Sequence, residues 1–338
     1  MTYRSDLATP MKSITLNDVA KAAGVSLITA SRALSNPDRV SKETAKHVQA
    51  VAASAGYVPN LLAGGLRARR SHTVAALVPA ISVSQFLPTV TTLTAELEQA
   101  GYQLILGQTG YDRARETALL NTMIGRRVDG IIVAGLLGPD AANKALRRSG
   151  IPVVETWDLT PHPFDMVVGF SHLKVGSAVA GFFLRKGWRK VGIATGDDQR
   201  AAVRREGFLD VMGRCVPTAI VPAPSSVASG RRALAELLAQ EPALEAVFCS
   251  ADTLAEGVLT EARARGLRVP EDLAVCGFGG AEFCAHLLPS LTTVQVDGVE
   301  IGRVAIELLL SQINAEPLES RVRDIGFQIV ERASTHTA

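Results

Sequence analysis

The residues with reactive side chains are few, and none of them falls into a catalytic pattern. Cys215, Cys249, Cys276 and Cys284 stand too far apart for a local metal site and read as reduced thiols. The histidines are scattered, and isolated ones such as His172 and His286 read as surface or structural residues. There is no HExxH helix and no P-loop. No dinucleotide fingerprint occurs, because strand, glycine cluster and helix nowhere line up. Ser225 and Ser226 are loop serines without a nucleophile elbow. The chain therefore reads as a non-enzyme with no cofactor and no metal. The chemistry it offers is recognition, and that begins near the N-terminus. Leu27 and Ile28 open a short helix, where apolar side chains can meet thymine methyl groups or serve as ordinary core. Arg32, one turn later, can reach a guanine edge or a phosphate. Ser26, Thr29, Ser31 and Ser41 are short donors suited to phosphate oxygens, and Thr15 at the first helix cap stands with them.

These residues need a small helical scaffold, and the spacing supplies one. Thr15 caps a helix with Leu16, Val19, Ala20 and Ala23 on one apolar face, and Gly24 ends it. Ser26 caps a second helix carrying Ala30, Ala33 and Leu34. Asn36-Pro37-Asp38 is a turn. Ser41 caps a third helix with Glu43 in its first turn and Val48, Val51 and Ala52 inside. Two helices around a glycine turn make a helix-turn-helix. Charge agrees. Residues 1–70 hold ten Lys and Arg against four Asp and Glu, an excess of six positive charges, while the whole chain carries only +2. The remainder is thus net negative by four, and a basic small domain beside a mildly acidic large one favours a polyanion at the N-terminus. Residues 1–12 read as a disordered arm without the apolar stretch of a signal peptide. No run of apolar residues is long enough for a membrane span. Together these point to a cytoplasmic protein.

Beyond residue 72 short apolar runs alternate with helical segments. Strands are expected at 73–78, 102–108, 128–135, 151–155, 190–195, 218–221, 244–249 and 272–278. Helices are expected around 87–100 and over 114–126, 139–149, 176–187, 201–213, 228–240 and 251–266. Apolar strands alternating with helices predict parallel sheets covered on both faces, and two such sets predict two similar α/β lobes. Glycines at strand ends (Gly130, Gly135, Gly192, Gly277, Gly279) place loops at the carboxyl edge, where open α/β sheets bind ligands.

The stretch TLNDVAKAAGVSLITASRALSNPDRVSKETAKHV, followed by GYVPNLLAGGLRARRSHTVAALVP, resembles the headpiece and hinge of the lactose/galactose repressor family. The resemblance extends over nearly the whole chain. It implies an all-α helix-turn-helix headpiece at 13–59, a hinge helix or linker at 60–71, and a periplasmic-binding-protein-like core at 72–338. Lobe one would be 72–168 with 298–324, and lobe two 170–296 with 325–338, joined by three crossings near 168–170, 296–298 and 324–328. It further implies base reading by Leu27 and Ile28, a DNA contact by Arg32, and minor-groove entry by the segment from Asn60 to Leu66, with Leu66 as an intercalating wedge. Composition alone makes 60–71 an Arg-rich linker, and Gly64-Gly65 is an awkward pair inside a helix. The implied partner is a palindromic operator bound by a homodimer. The tail ERASTHTA has no heptad repeat, so a tetramerisation coil is not expected.

The same resemblance implies an effector site between the lobes. Arg204 in QRAAVRREGF matches the arginine that contacts sugar hydroxyls, and its planar fork suits a carboxylate at least as well. A lone arginine before a glycine also reads as a solvated helix face. Asp252 is retained in CSADTLAEG, but Ala251 stands where sugar-binding members carry Asn, and Gly279 where the lactose repressor has a sugar-binding Asp. GQTGYDRARETALLNTMIGRRVDGIIV, GIPVVETWDLTPHPFDMVVGFSH and DIGF resemble gluconate-type repressors of the family. Glu155, Trp157 and Asp158 are expected to face the cleft, with Ser82, Ser84, Gln85 and Phe86 opposite. A sugar acid such as gluconate is the expected effector. A neutral sugar, a phosphorylated effector or a co-repressor remain open, as does activation in place of repression. An exported solute-binding protein would lack the headpiece.

Overall fold

A computed structural model describes residues 14–58, 70–138 and 141–336, with only the backbone of 141–143. The arm at 1–12 and most of the hinge, Asn60 and Leu66 included, lie outside these residues. The chain divides into two compact units between Ser71 and His72.

In the first unit three helices follow one another: α1 (Leu16–Ala22), α2 (Leu27–Ser35) and α3 (Lys42–Ser54). Each starts at a hydroxyl cap. Thr15, Ser26 and Ser41 accept from the backbone amides of Asp18, Thr29 and Thr44, satisfying donors that a helix start otherwise leaves free. Asp18 returns the bond to the Thr15 amide, completing a capping box. Val19, Ala20, Ala30, Ala33, Val48 and Ala52 close the small core. Alanine predominates because the helices cross closely. Two side-chain bonds from α3 tie down the carboxyl ends of the other helices, His47 to the Ala23 carbonyl and Gln49 to that of Ala33.

The second unit holds two six-stranded sheets. Lobe one contains β1 (Thr73–Val78), β2 (Gln103–Gln108), β3 (Gly130–Ala134), β4 (Val153–Thr156), β5 (Met166–Gly169) and, far along the chain, β11 (Val322–Asp324). Their spatial order is β11-β5-β4-β3-β1-β2, parallel throughout. Helices α4 (Leu87–Gln99), α5 (Arg113–Arg126), α6 (Ala141–Ser149) and α11 (Gly298–Ile313) belong to this lobe. Lobe two contains β6 (Val191–Gly196), β7 (Thr218–Val221), β8 (Ala246–Cys249), β9 (Ala274–Gly279), β10 (Thr292–Gln295) and β12 (Gln328–Val330). The order is β12-β10-β9-β8-β6-β7, with only β12 antiparallel. Its helices are α7 (His172–Arg185), α8 (Gln199–Met212), α9 (Val227–Gln240) and α10 (Asp252–Ala264). The chain passes between sheets after β5, β10 and β11.

The alternation of apolar runs and helices anticipates these elements closely up to β9. Helix α7 begins four residues earlier than its pattern suggests, because Ser171 caps it and His172 turns inward. Strand β5, helix α11 and the short β10, β11 and β12 carry no separate signal in that reading. Three- and four-residue strands are too short for a period to show.

One continuous core runs from lobe one into lobe two through the first crossing. Phe170 is fully buried there, with ring neighbours Trp157, His172, Phe278 and Phe327 at centroid distances of 6.2, 4.7, 6.1 and 6.5 Å. Helices α7 and α8 also meet without side chains between them. A Cβ built on Gly176 would lie 1.8 Å from the Arg204 carbonyl oxygen, and one on Gly207 2.1 Å from that of Leu173. No methyl group fits at either place. Gly176→Ala is therefore expected to destabilise the fold by at least about 1–3 kcal/mol through overpacking. Gly181→Ala, on the same helix, meets only the end of the Arg185 side chain at 3.4 Å and should be neutral or stabilising, by up to about 1 kcal/mol. Urea unfolding of both variants checks the contrast, and equal stabilities would contradict the close crossing.

Candidate functional site

The headpiece presents a recognisable face. Leu27 and Ile28 are 49% and 62% exposed at the start of α2, so they are not core residues. Two large apolar side chains held in water on a basic unit make sense as contact atoms for a partner surface. Arg32 is exposed one turn on, and Ser31 is half-buried beside it. The hydroxyls of Ser26 and Thr29 lie 2.8 Å apart while Ser26 caps the helix. Thr15 is similarly engaged in its own cap, leaving its exposed position as its remaining asset.

In the second unit a seam between the lobes gathers most of the remaining candidates. Helix α8 runs from the carboxyl end of β6, with Asp198 as its cap. Arg204 projects from it into the interior and is only 5% exposed. Its Nη1 donates to His172 Nδ1 at 2.9 Å and its Nη2 to the Ser250 carbonyl at 3.1 Å. The guanidinium carbon sits 4.0 Å from the centroid of the Phe278 ring, and Nε has no hydrogen-bond partner among the described residues. Burial lowers the Arg204 pKa to about 10, which leaves it cationic at neutral pH. His172 must be neutral with its proton on Nε2, because Nδ1 faces a group that only donates and Nε2 faces the Trp157 carbonyl, at 3.0 Å. Burial, reinforced by Arg204 and Arg200, holds its pKa well below the usual imidazole value.

Lobe one brings Asp158 and Tyr111 to the same seam. Burial raises both pKa values, and the charges of Arg200 and Arg204 oppose the rise in each. Tyr111 and Trp157 have φ of 59° and 62°, the left-handed region that bulky residues seldom enter and that clusters at binding sites. Phe86 is buried beneath the seam, and its ring lies 5.3 Å from the Arg200 guanidinium carbon of the other lobe. Gln85 is half-buried, with Oε1 3.3 Å from where a Cβ on Gly279 would be. Gly279 has φ of 133°, so an aspartate at that position would be strained and would meet both Gln85 and Asp252. Ser84 is half-buried and Ser82 exposed along the same turn.

Three expected cleft residues are placed differently. The Glu155 carboxylate accepts from the amides of Leu137 at 2.6 Å and Phe164 at 2.8 Å, fastening two loops of lobe one. On a strand alternate residues face opposite sides, so Glu155 shares a face with Val153 rather than with Val154 and the seam. The Trp157 indole is core: Nε1 donates to Thr89 Oγ1 at 3.1 Å, and Thr89 donates on to the Gly298 carbonyl at 2.7 Å. Asp252 is buried, accepting from Thr293 Oγ1 at 2.5 Å and the Ala281 amide at 2.8 Å, and burial raises its pKa against those bonds. Its carboxylate braces the loop after β9. The reading of Arg204 as a free fork changes too, since both terminal nitrogens already have partners.

Residue types alone missed Arg200, His172, Tyr111 and Ser250. Arg200 had a signal: it lies four residues before Arg204, hence on the same helix face. His172 had none, because a histidine beside a crossing strand looks the same whether it is exposed or buried. Among the described residues no group of three or more His, Cys, Asp or Glu could hold a metal ion, and no helix is long and apolar enough to cross a membrane.

The comparisons with known proteins agree with both halves. Residues 15–60 match the model for bacterial regulatory proteins of the lacI family, and residues 180–335 match that of the periplasmic binding protein-like domain. The HTH-type transcriptional regulator GntR of Pseudomonas aeruginosa is 36% identical over 327 residues, covering 95% of each chain. The HTH-type transcriptional regulator IdnR of Escherichia coli is 32% identical over 94% of this chain and 97% of its own. A solved LacI-family regulator from Silicibacter pomeroyi superposes with a TM-score of 0.90 at 33% identity, over 96% of this chain and 100% of that one. A helix-turn-helix unit followed by a two-lobed periplasmic-binding-protein-like core is thus matched from end to end, and the chain belongs to the LacI family: it is a DNA-binding transcriptional regulator governed by a small-molecule effector, not an enzyme.

Proposed function

We propose that this regulator is a repressor that binds a palindromic operator as a homodimer and responds to a sugar acid such as gluconate held between its lobes. One observation carries the effector reading. The seam holds two guanidiniums with unused donors, Arg200 Nη1 and Arg204 Nε. Of the acidic residues expected there, Glu155 and Asp252 are committed to backbone amides or Thr293, which leaves Asp158. Asp158 and Asp198 offset the two guanidinium charges but fill neither of these donors, and an anion that does so forms charge-assisted bonds stronger than neutral ones. The similarity of residues 107–133, 150–172 and 324–327 to gluconate-type repressors points the same way. Asp158 is the feature that favours a neutral sugar, as an acceptor for hydroxyls. Beside two arginines it serves a polyhydroxy acid equally well.

On DNA, Leu27 and Ile28 would contact base edges, with Arg32 reading a guanine or holding a phosphate. Thr15, Ser26, Thr29 and Ser31 would position the helix on the backbone. The hinge segment, with Asn60 and Leu66, would complete the contact.

Two measurements test this reading. Fluorescence anisotropy should show binding to an inverted repeat of roughly 16–20 base pairs that weakens steeply with salt. Arg32→Ala should lower specific binding about 10- to 100-fold, and non-specific binding far less; equal losses would reassign Arg32 to phosphate. Calorimetric titration should show gluconate binding in preference to glucose and galactose. Arg204→Met, which keeps the packing and removes the charge, should lower gluconate affinity at least about 10-fold. Preference for a neutral sugar, or unchanged affinity in the variant, would defeat the sugar-acid reading and leave the DNA-binding role intact.

A further inference from the structure

Arg204 is an unsuitable reader of a carboxylate by itself. Both of its terminal nitrogens are engaged, by His172 and by the Ser250 carbonyl, and its outer face is almost wholly buried. It can add a bond from Nε, but it cannot present an unoccupied pair of terminal nitrogens without giving up the contacts that hold it. Arg200 is differently placed. It lies one turn earlier on α8, on the same face, and is half-exposed. Its Nη1 is buried yet has no hydrogen-bond partner among the described residues, where it also forms no ion pair. Its guanidinium rests on the Phe86 ring of lobe one, and its charge is felt by Asp158 and Tyr111 of that lobe as well as by Arg204.

We propose that Arg200, not Arg204, is the residue that distinguishes an acidic effector from its neutral counterpart, and that it does so while stacked against the opposite lobe. Two guanidiniums one helical turn apart repel each other, and although Asp198 and Asp158 offset the charge on Arg204, neither fills Arg200 Nη1 or Arg204 Nε; an anion lying between those donors adds charge-assisted bonds that a neutral hydroxyl does not. Burial of the free donor adds selectivity, because a ligand without an acceptor at that point leaves it unsatisfied. The stacking on Phe86 gives the same side chain a second role. A carboxylate that fixes Arg200 also fixes the plane that touches lobe one, so acid recognition and closure of the seam use one group. Arg204 then forms the floor of the site, and its loss weakens acids and neutral ligands alike.

The inference rests on the reading of the seam as the effector site, and the experiment separates the two. Calorimetry with full-length protein compares gluconate with D-glucitol, which has the same carbon chain and a hydroxymethyl group in place of the carboxylate. Arg200→Gln is expected to lower gluconate affinity about 10- to 100-fold and leave D-glucitol affinity little changed. Arg200→Lys, which keeps the charge, is expected to restore part of the discrimination. Thermal melts of both variants without ligand report whether they fold. A glutamine variant that keeps the wild-type preference overturns the proposal alone, as does a lysine variant no better than glutamine. A wild-type protein that binds neutral sugars and no acid overturns the effector reading and this proposal with it.

Discussion

A positive charge removed from water lies in lobe two beside the first crossing, and the histidine that satisfies it bonds across to lobe one. Arg204 is cationic and buried at the seam, and an isolated buried charge is prohibitively costly unless its donors find acceptors. Much of the surrounding structure meets that requirement. His172 supplies a neutral ring nitrogen, Ser250 a carbonyl and Phe278 an aromatic face. His172 reaches Arg204 because α7 and α8 touch backbone to backbone at Gly176 and Gly207. It stays neutral because burial and the neighbouring arginines exclude a second proton.

From that charge a continuous line of hydrogen bonds leads to two of the three crossings. Arg204 donates to His172 at the first crossing, and His172 to the Trp157 carbonyl. The Trp157 indole donates to Thr89 on α4, and Thr89 to Gly298 at the head of α11. Phe170 packs among the same groups, and Phe327 of the third crossing packs on Phe170. Interiors packed this closely change arrangement in discrete steps rather than by gradual yielding. A ligand that altered how Arg204 is satisfied would act on the hydrogen-bonded line that runs between these crossings.

The sequence made the scaffold legible and the site only partly so, for physical reasons. Capping hydroxyls at Thr15, Ser26 and Ser41 and the alternation of apolar runs with helices are local signals, and they placed the headpiece and most core elements. Exposure of Leu27 and Ile28 was ambiguous, since an apolar residue at a helix start suits core and DNA equally; only the packing of α1 and α3 on the other face decides it. In the cleft, the family resemblance marked Glu155, Trp157 and Asp252 as candidates, yet their side chains serve loops and core. Strand parity turned Glu155 away, and hydrogen-bond partners far along the chain occupied the other two. His172 and Tyr111 enter the site only through contacts between distant segments, which no local pattern encodes.

The most direct test of the account is whether an acid at the seam controls the headpiece. Operator affinity should be measured by fluorescence anisotropy across a gluconate titration, with D-glucitol as the neutral control. Gluconate affinity should then be measured with and without saturating operator. The account predicts that gluconate weakens operator binding, that D-glucitol does not, and that operator weakens gluconate binding by the same factor, as linkage between two sites of one protein demands. Operator affinity that is indifferent to every sugar acid tested, or that responds to the neutral compound alone, would contradict it.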